Sequence, residues 1–235
     1  MFQPLSPAFA ENPYRFYAEL RRLDEPYFYK SADAYLLSRY SDVEAAARNP
    51  TLVRSLEAFM NPGAVNAQQR ARDWHDMPNH ERFVQFSLLE RDGATHFRLR
   101  VIVLRALSRR LVEQQRGKIQ KYVDQLLDQL LQHREFDFVA DLASHVPGHI
   151  IGHLLGVPDE DCPQLRIWSE NIVQFFDAER TPAHKLLAEN ATTEFYFYLS
   201  GLIADRRNKP KEDLISSLVA AQEAGEMTEL ELIST

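Results

Sequence analysis

Three basic residues alternate with other residues in one short segment of the sequence, DGATHFRLR, as His96, Arg98 and Arg100. The turn dipeptide GA precedes a run rich in helix formers, which predicts a helix that begins here with Asp92 or Thr95 as its cap. On that helix His96 and Arg100 are four residues apart and lie on one face, whereas Arg98 points elsewhere. Two side chains placed in this way form a fork for a pair of carboxylates or for a phosphate. A solvated basic helix start would show the same pattern, so the motif alone does not distinguish it from an anion-binding site, and the surrounding elements have to be considered.

Length and composition are those of an ordinary globular protein. The chain has 235 residues, 45% of them hydrophobic and 26% charged, which is enough to bury a substantial core. Its 27 basic and 34 acidic residues leave a net charge of −7, which does not favour a nucleic-acid partner. The N-terminus has no signal-peptide pattern, and no apolar run approaches the roughly 20 residues that cross a bilayer. With one cysteine, Cys162, no internal disulfide can form, so we expect a cytoplasmic protein without membrane association.

Hydrophobic periodicity predicts a mainly α-helical fold with a small β-hairpin near the N-terminus, and the length suits one large domain or two small ones. Aromatic and apolar runs at 26–30 and 34–38 give the hairpin signal. Helical patterns cover seven segments: 13–23, 42–49, 97–131, 146–155, 163–176, 182–207 and 213–224. A capping box at Thr228 and Glu231 predicts a further helix, and we expect the chain to stop before that helix is complete.

Five stretches, taken in order, resemble the N-terminal half of a bacterial cytochrome P-450. They are NPY with YAELR at 12–21, YLLSRYSDV at 35–43, DGATHFRLR at 92–100, DLA with LLGVPDED at 141–161, and RRNKP with DLIS at 206–216. The resemblance spans nearly the whole chain. It implies that residues 1–235 form a single domain, the N-terminal half of a cytochrome P-450-like helical fold that is truncated before its long central helix is complete. The family usually has Pro-Pro-Glu where this chain has Gly93-Ala94-Thr95, which loosens the helix entry.

The resemblance implies a haem-thiolate monooxygenase that uses O₂ to hydroxylate an apolar small molecule. His96 and Arg100 would bind the two haem propionates, and a ferredoxin- or flavodoxin-type protein would donate electrons. Basic residues expected to face this donor are Arg98, Arg105, Arg109 and Arg110, although a solvated basic face would look the same. Side chains expected near substrate are Phe83, Val84, Phe86, Leu88, Leu89, Ile172, Phe175 and Phe176, with plain core packing as the alternative for the first five.

One departure from the family concerns the iron ligand. The haem-ligating cysteine of the family lies in its second half, and Cys162 lacks the Gly-rich, Phe-containing loop around that ligand. We interpret Cys162 as a small buried hydrophobe. No catalytic residue is therefore assigned, and the 235-residue chain is not expected to be active alone.

A second interpretation of the function rests on histidines that recur every four residues, at 145, 149 and 153. Proline prefers the first helical turn, so Pro147 predicts a helix that excludes His145 and leaves His149 and His153 in register. Two histidines rarely suffice for a tight metal site. The alternative function is a non-enzymatic helical module that binds a metal through this pair, or an acidic protein through the basic run. The acidic residues at 159–161 are interpreted as compensation of a helix dipole.

Overall fold

A computed structural model describes residues 3–55, 60, 61, 63, 64, 67, 77–177 and 181–235. The chain divides into two compact units, Met1–Val53 and Arg54–Thr235, and each is described by itself. That residues 1–235 form a single domain stays a prediction. No helix among the described residues is both long enough and apolar enough to span a membrane.

The first unit contains the predicted β-hairpin. Its elements are α1 (Pro7–Glu11), α2 (Pro13–Leu20), β1 (Tyr27–Tyr29), β2 (Ala34–Leu36) and α3 (Tyr40–Arg48). The two strands are antiparallel, with Tyr27 opposite Leu36 and Tyr29 opposite Ala34. Asp33 turns the chain in the left-handed region at φ 48°, a conformation that short polar side chains tolerate.

The second unit is helical, and with the hairpin it confirms the predicted mainly α fold. Its helices are α4 (Pro78–Phe86), α5 (Gly93–Ala106), α6 (Arg109–Leu130), α7 (His145–Leu155), α8 (Cys162–Val173), α9 (Pro182–Asn208), α10 (Leu214–Glu223) and α11 (Glu229–Ser234). Short turns of other helical types occupy Leu88–Glu90, Phe138–Ala143, Asp159–Asp161 and Gln174–Phe176.

The continuous helix predicted over 97–131 is wrong, because α5 ends at Ala106 and α6 begins at Arg109. Ser108 separates them: its hydroxyl accepts a hydrogen bond from the Leu111 amide at 3.2 Å, as the N-cap of a new helix. Apolar residues recur at helical spacing on both sides of Ser108, so periodicity alone did not reveal the break.

The core of the second unit positions α5. Leu99 and Ile102 point into a buried cluster that also contains Trp168, Leu202 and Ile233 from α8, α9 and α11. At about 100° per residue, this burial places His96 and Arg100 on one flank of α5 and Arg98 on the opposite flank.

Candidate functional site

The entry to α5 is anchored by Asp92, but not as an ordinary helix cap. Asp92 occupies the N-cap position without a side-chain capping bond. Its carboxylate instead accepts hydrogen bonds from the backbone amides of Arg54 and Ser55, at 2.7 and 2.5 Å. Gly93 follows with φ +59°, a conformation that favours glycine. The anchor therefore joins the start of the motif helix to the segment at 54–55.

One flank of α5 presents His96 and Arg100 together. His96 is half-buried, and because a carbonyl can only accept, its Nδ1–H donates to the Leu88 carbonyl oxygen at 3.1 Å. Nε2 is left as the nitrogen that a protonated imidazole would turn toward an anion. Arg100 is exposed, and within the described part of the chain it forms no hydrogen bond or ion pair. This flank therefore offers the Arg100 guanidinium and, when His96 is protonated, its Nε2–H as donors for an anion.

Arg98, on the opposite flank, is used by the fold. Its guanidinium bonds both carboxylate oxygens of Glu231, at 2.6 and 3.3 Å, and the Glu226 carbonyl oxygen at 2.7 Å. Burial by itself would raise the pKa of Glu231, but hydrogen bonds from Arg98 and from the Thr228 amide bring it below its ordinary value. The other predicted docking residues are also paired: Arg105 with Glu226, Arg109 with Glu113 at 2.7 Å, and Arg110 with Glu212 at 2.8 Å.

An apolar cavity of about 590 Å³ lies in the second unit. Six of the residues predicted near substrate line it: Phe83, Val84, Leu88, Leu89, Ile172 and Phe176. Sequence reasoning missed the walls that come from α9, α10 and α11, among them Leu199, Ile203, Leu218, Leu232 and Ile233. These residues lie up to 150 positions from the predicted ones, and only their helical periodicity hinted at a buried face.

Phe86 and Phe175, also predicted near substrate, do not line this cavity. Phe175 is fully buried in a small separate cluster, with its ring 4.7 Å from that of His80. Burial lowers the pKa of His80 to about 4, so this histidine is neutral near pH 7. Phe86 packs beneath the guanidinium of Arg91, which lies 5.0 Å from the ring centroid. Both phenylalanines therefore stabilise neighbouring elements.

Cys162, at the first residue of α8, has the environment of an inert thiol. Its side chain is buried, and Sγ–H donates to the Pro158 carbonyl oxygen at 3.4 Å. Burial, with the carboxylates of Asp159, Asp161 and Glu160, raises the pKa of Cys162 to about 11. A metal-ligating cysteine must be a thiolate, so Cys162 does not suit that role here.

The histidines of the second interpretation lie on α7. The helix begins at His145, two residues earlier than Pro147 predicts, and Pro147 occupies its first turn. His149 and His153 project from one face as expected, and their imidazole rings are 4.4 Å apart. Burial and the neighbouring His153 lower the pKa of His149, against a smaller opposing effect of Asp159.

Comparisons with known proteins agree on one family, although no family model matches the chain. The polyketide biosynthesis cytochrome P-450 PksS of Bacillus subtilis is 33% identical over 241 residues, covering 100% of this chain and 56% of the relative. Cytochrome P-450 107B1 of Saccharopolyspora erythraea is 30% identical over 235 residues, covering 97% of this chain and 54% of the relative.

Solved structures give the same result. The crystal structure of CalO2 superposes with a TM-score of 0.84 at 25% identity, covering 100% of this chain and 56% of that chain. The structure of PksS has a TM-score of 0.78 at 33% identity, with the same coverages. The chain spans about half the length of the curated relatives it matches. It belongs to the cytochrome P-450 family, and it corresponds to the N-terminal half of such a protein.

Proposed function

We propose that this chain supplies the propionate-binding and substrate-lining half of a haem-thiolate monooxygenase that hydroxylates an apolar small molecule. Haem is the cofactor of this family. The observation that carries the proposal is the flank of α5 on which His96 and Arg100 stand together. Neither side chain is paired with a carboxylate among the described residues. A cation and an imidazole in this arrangement suit the two propionates of a haem.

The residues of this chain would bind and orient the haem. Arg100 would bind one propionate as a fixed cation. Protonated His96 would donate from Nε2–H to the other while its Nδ1–H stays on the Leu88 carbonyl oxygen. When bound through a cysteine thiolate, haem iron supplies the activation of O₂. Cys162 is not proposed as that ligand, because its thiol is buried and protonated.

The substrate class follows from the cavity. Its volume of about 590 Å³ is within the range of small-molecule sites, roughly 300–1,000 Å³. The charged lining residues Arg54 and Glu90 pair with each other at 2.6 Å, so the remaining wall is mostly apolar. Burial of apolar area would then drive binding, at about 25 cal/mol per Å². The relative PksS is named for polyketide biosynthesis, which also supports an organic substrate of this kind.

A ferredoxin- or flavodoxin-type donor remains part of the proposal, with Arg109 and Arg110 as its main contacts. Their side chains are 91% and 73% exposed, and their ion pairs lie at the surface. Surface pairs contribute only about 0–1 kcal/mol, so an acidic partner protein can replace them. Arg98 is held more firmly, by the buried Glu231 carboxylate and the Glu226 carbonyl oxygen, whereas the pair of Arg105 with Glu226 is also exposed.

The test is a titration of the full 235-residue chain with haemin, followed by Soret absorbance. We expect His96→Ala/Arg100→Ala to weaken saturable haemin binding by about 10–100-fold, because it removes two charge-assisted contacts at a partly exposed site. The control His133→Ala/Arg134→Ala removes the same residue types from an exposed loop and should change affinity less than about 2-fold. The absence of saturable binding, or equal losses in the two variants, would overturn the assignment. A Soret band of the thiolate type, after the haem-loaded chain is reduced in the presence of carbon monoxide, would contradict our assignment of Cys162.

A further inference from the structure

A second cluster of ligand-type side chains lies away from the haem-binding flank, where α7 meets the turn Asp159–Asp161. His149 Nε2 and His153 Nε2 are 2.9 Å apart, and Asp159 Oδ1 is 2.9 Å from the second and 4.0 Å from the first. Among the described residues, these three form the group whose ligand atoms come together closely enough to hold a metal ion.

Hydrogen bonding does not satisfy this arrangement. Both contacts of His153 use the same atom, Nε2, which carries at most one hydrogen. The three separations place His149 and Asp159 at nearly a right angle as seen from that atom. A single N–H aimed between them would miss each partner by about 45°, close to the limit at which hydrogen bonds weaken steeply. The three atoms, two imidazole nitrogens and one carboxylate oxygen, therefore lie close together although the single hydrogen on His153 Nε2 cannot bond well to both of the others.

A metal ion fits the same three atoms. The separations define a point about 2.0 Å from each of them, which is the usual zinc–nitrogen and zinc–oxygen distance. At that point the ligands subtend angles near 90° and 180°, the tetragonal pattern typical of Cu²⁺ and Ni²⁺. Tetrahedral zinc needs about 3.3 Å between each pair of ligand atoms, so the exposed Asp159 side chain would have to move toward His149 and away from His153, and the two imidazoles slightly apart.

The surroundings hold the two imidazoles and leave room for further ligands. The Tyr122 ring stacks on His149 with centroids 3.6 Å apart and an interplanar angle of 10°, which fixes the plane of the imidazole. The helix sets the spacing of His149 and His153. A cavity of about 240 Å³ is lined by Tyr122, His149 and Asp159, and it can hold the water molecules that would complete the coordination sphere.

We propose that His149, His153 and Asp159 bind one divalent late transition-metal ion, Cu²⁺, Ni²⁺ or Zn²⁺, with water in the remaining positions. Imidazole and carboxylate are ligands that these ions accept. The ion would connect α7 to the turn that leads into α8, and so it would stabilise this corner of the second unit. Cys162 lines the same cavity but lies outside the ligand set.

The test uses the tag-free 235-residue chain without haem, titrated with Zn²⁺ and Ni²⁺ against a chromophoric chelator. We expect one ion per chain. His149→Ala and His153→Ala should each weaken binding by at least about 100-fold, since outer-sphere partners alone contribute about 10–100-fold. The matched control His133→Ala removes an exposed histidine and should change affinity less than about 2-fold.

Two further variants keep the test decisive if a helix variant fails to fold. Asp159→Asn alters an exposed side chain and should weaken binding by about 10-fold or more while circular dichroism stays unchanged. Cys162→Ser should retain full binding. Unchanged affinity in Asp159→Asn, binding lost in Cys162→Ser, or affinity in the wild type no higher than in the histidine variants would each overturn the proposal.

Discussion

Arg98 and Arg100 are two residues apart in one motif, but Arg98 is paired with a buried carboxylate and Arg100 has no ion pair among the described residues. A pair of matched substitutions tests this difference. Arg98→Met keeps the aliphatic part of the side chain and removes the guanidinium that bonds Glu231 and the Glu226 carbonyl oxygen. Arg100→Met makes the same chemical change at an exposed residue without an ion pair in the described chain. We expect the first variant to be destabilised and the second to keep the stability of the wild type.

The size of the loss follows from burial. The Glu231 side chain is 8% exposed, so removal of Arg98 leaves a buried carboxylate without its cation, which costs about 3–5 kcal/mol in fully buried pairs. The Arg98 side chain is 41% exposed, and solvent screens the pair partly, which reduces the expected loss to about 2–3 kcal/mol. For a chain of this size that corresponds to about 4–12 °C in Tm. Arg100→Met should stay within about 0.5 kcal/mol.

Urea unfolding followed by far-ultraviolet circular dichroism measures both variants. Their midpoints can be compared as stabilities if the dependence of the unfolding free energy on urea concentration is unchanged. Glu231→Gln completes a double-mutant cycle. The double variant should lose less than the sum of the single losses, because the two residues share one interaction. Equal losses in Arg98→Met and Arg100→Met, or strict additivity with Glu231→Gln, would refute the division of roles within the motif.

Three further predictions concern stability and reactivity. The pKa of Glu231 is lowered in the folded state despite burial, so its contribution to the free energy of unfolding is present at neutral pH. That contribution should be lost progressively as the pH falls from about 4.3, the ordinary pKa of a glutamate, through the lower pKa of the folded state. Urea midpoints of the wild type and Glu231→Gln would show this loss. Gly156→Ala should cost about 3 kcal/mol or more in thermal unfolding, because φ is +87° and the new Cβ would lie 2.0 Å from Asp213 Oδ2. Gly225→Ala, at φ +76° without such a contact, should cost about 1 kcal/mol. Cys162, with a pKa of about 11, should react with a disulfide reagent at pH 8 far more slowly than in urea-unfolded chain.

The fold was largely predictable because its signals are local. Aromatic and apolar runs on either side of a short polar segment predicted the β1–β2 hairpin, and apolar residues at helical spacing predicted most of the helices. The capping box at Thr228 and Glu231 is present in the structure. The break at Ser108 was missed because helical periodicity is present on both sides of it, while a single capping residue is the only local signal of the new helix.

The candidate sites were less predictable, because their parts come from distant segments. The spacing of His96, Arg98 and Arg100 was enough to separate the flanks of α5, yet it gave no information on the partner of Arg98, which lies 133 residues away. The same holds for Asp159, which a dipole interpretation explained without reference to the histidines. Apolar residues near 83–89 and 172–176 suggested part of the cavity wall. Helical periodicity indicated that α9 and α11 have a buried face, but not that this face lines the cavity.

The pairing of arginines also bears on how an electron donor could bind. The chain carries a net charge of −7, so attraction of an acidic protein has to come from a local basic surface rather than from the overall field. The carboxylate partners of Arg98, Arg105 and Arg110 are supplied by segments beyond residue 200, which neutralise much of that surface. Electrostatic docking would then require exchange of these intramolecular partners for the carboxylates of the donor. Exchange is easiest at the exposed pairs, which is why Arg109 and Arg110, and not Arg98, should govern the salt dependence of association.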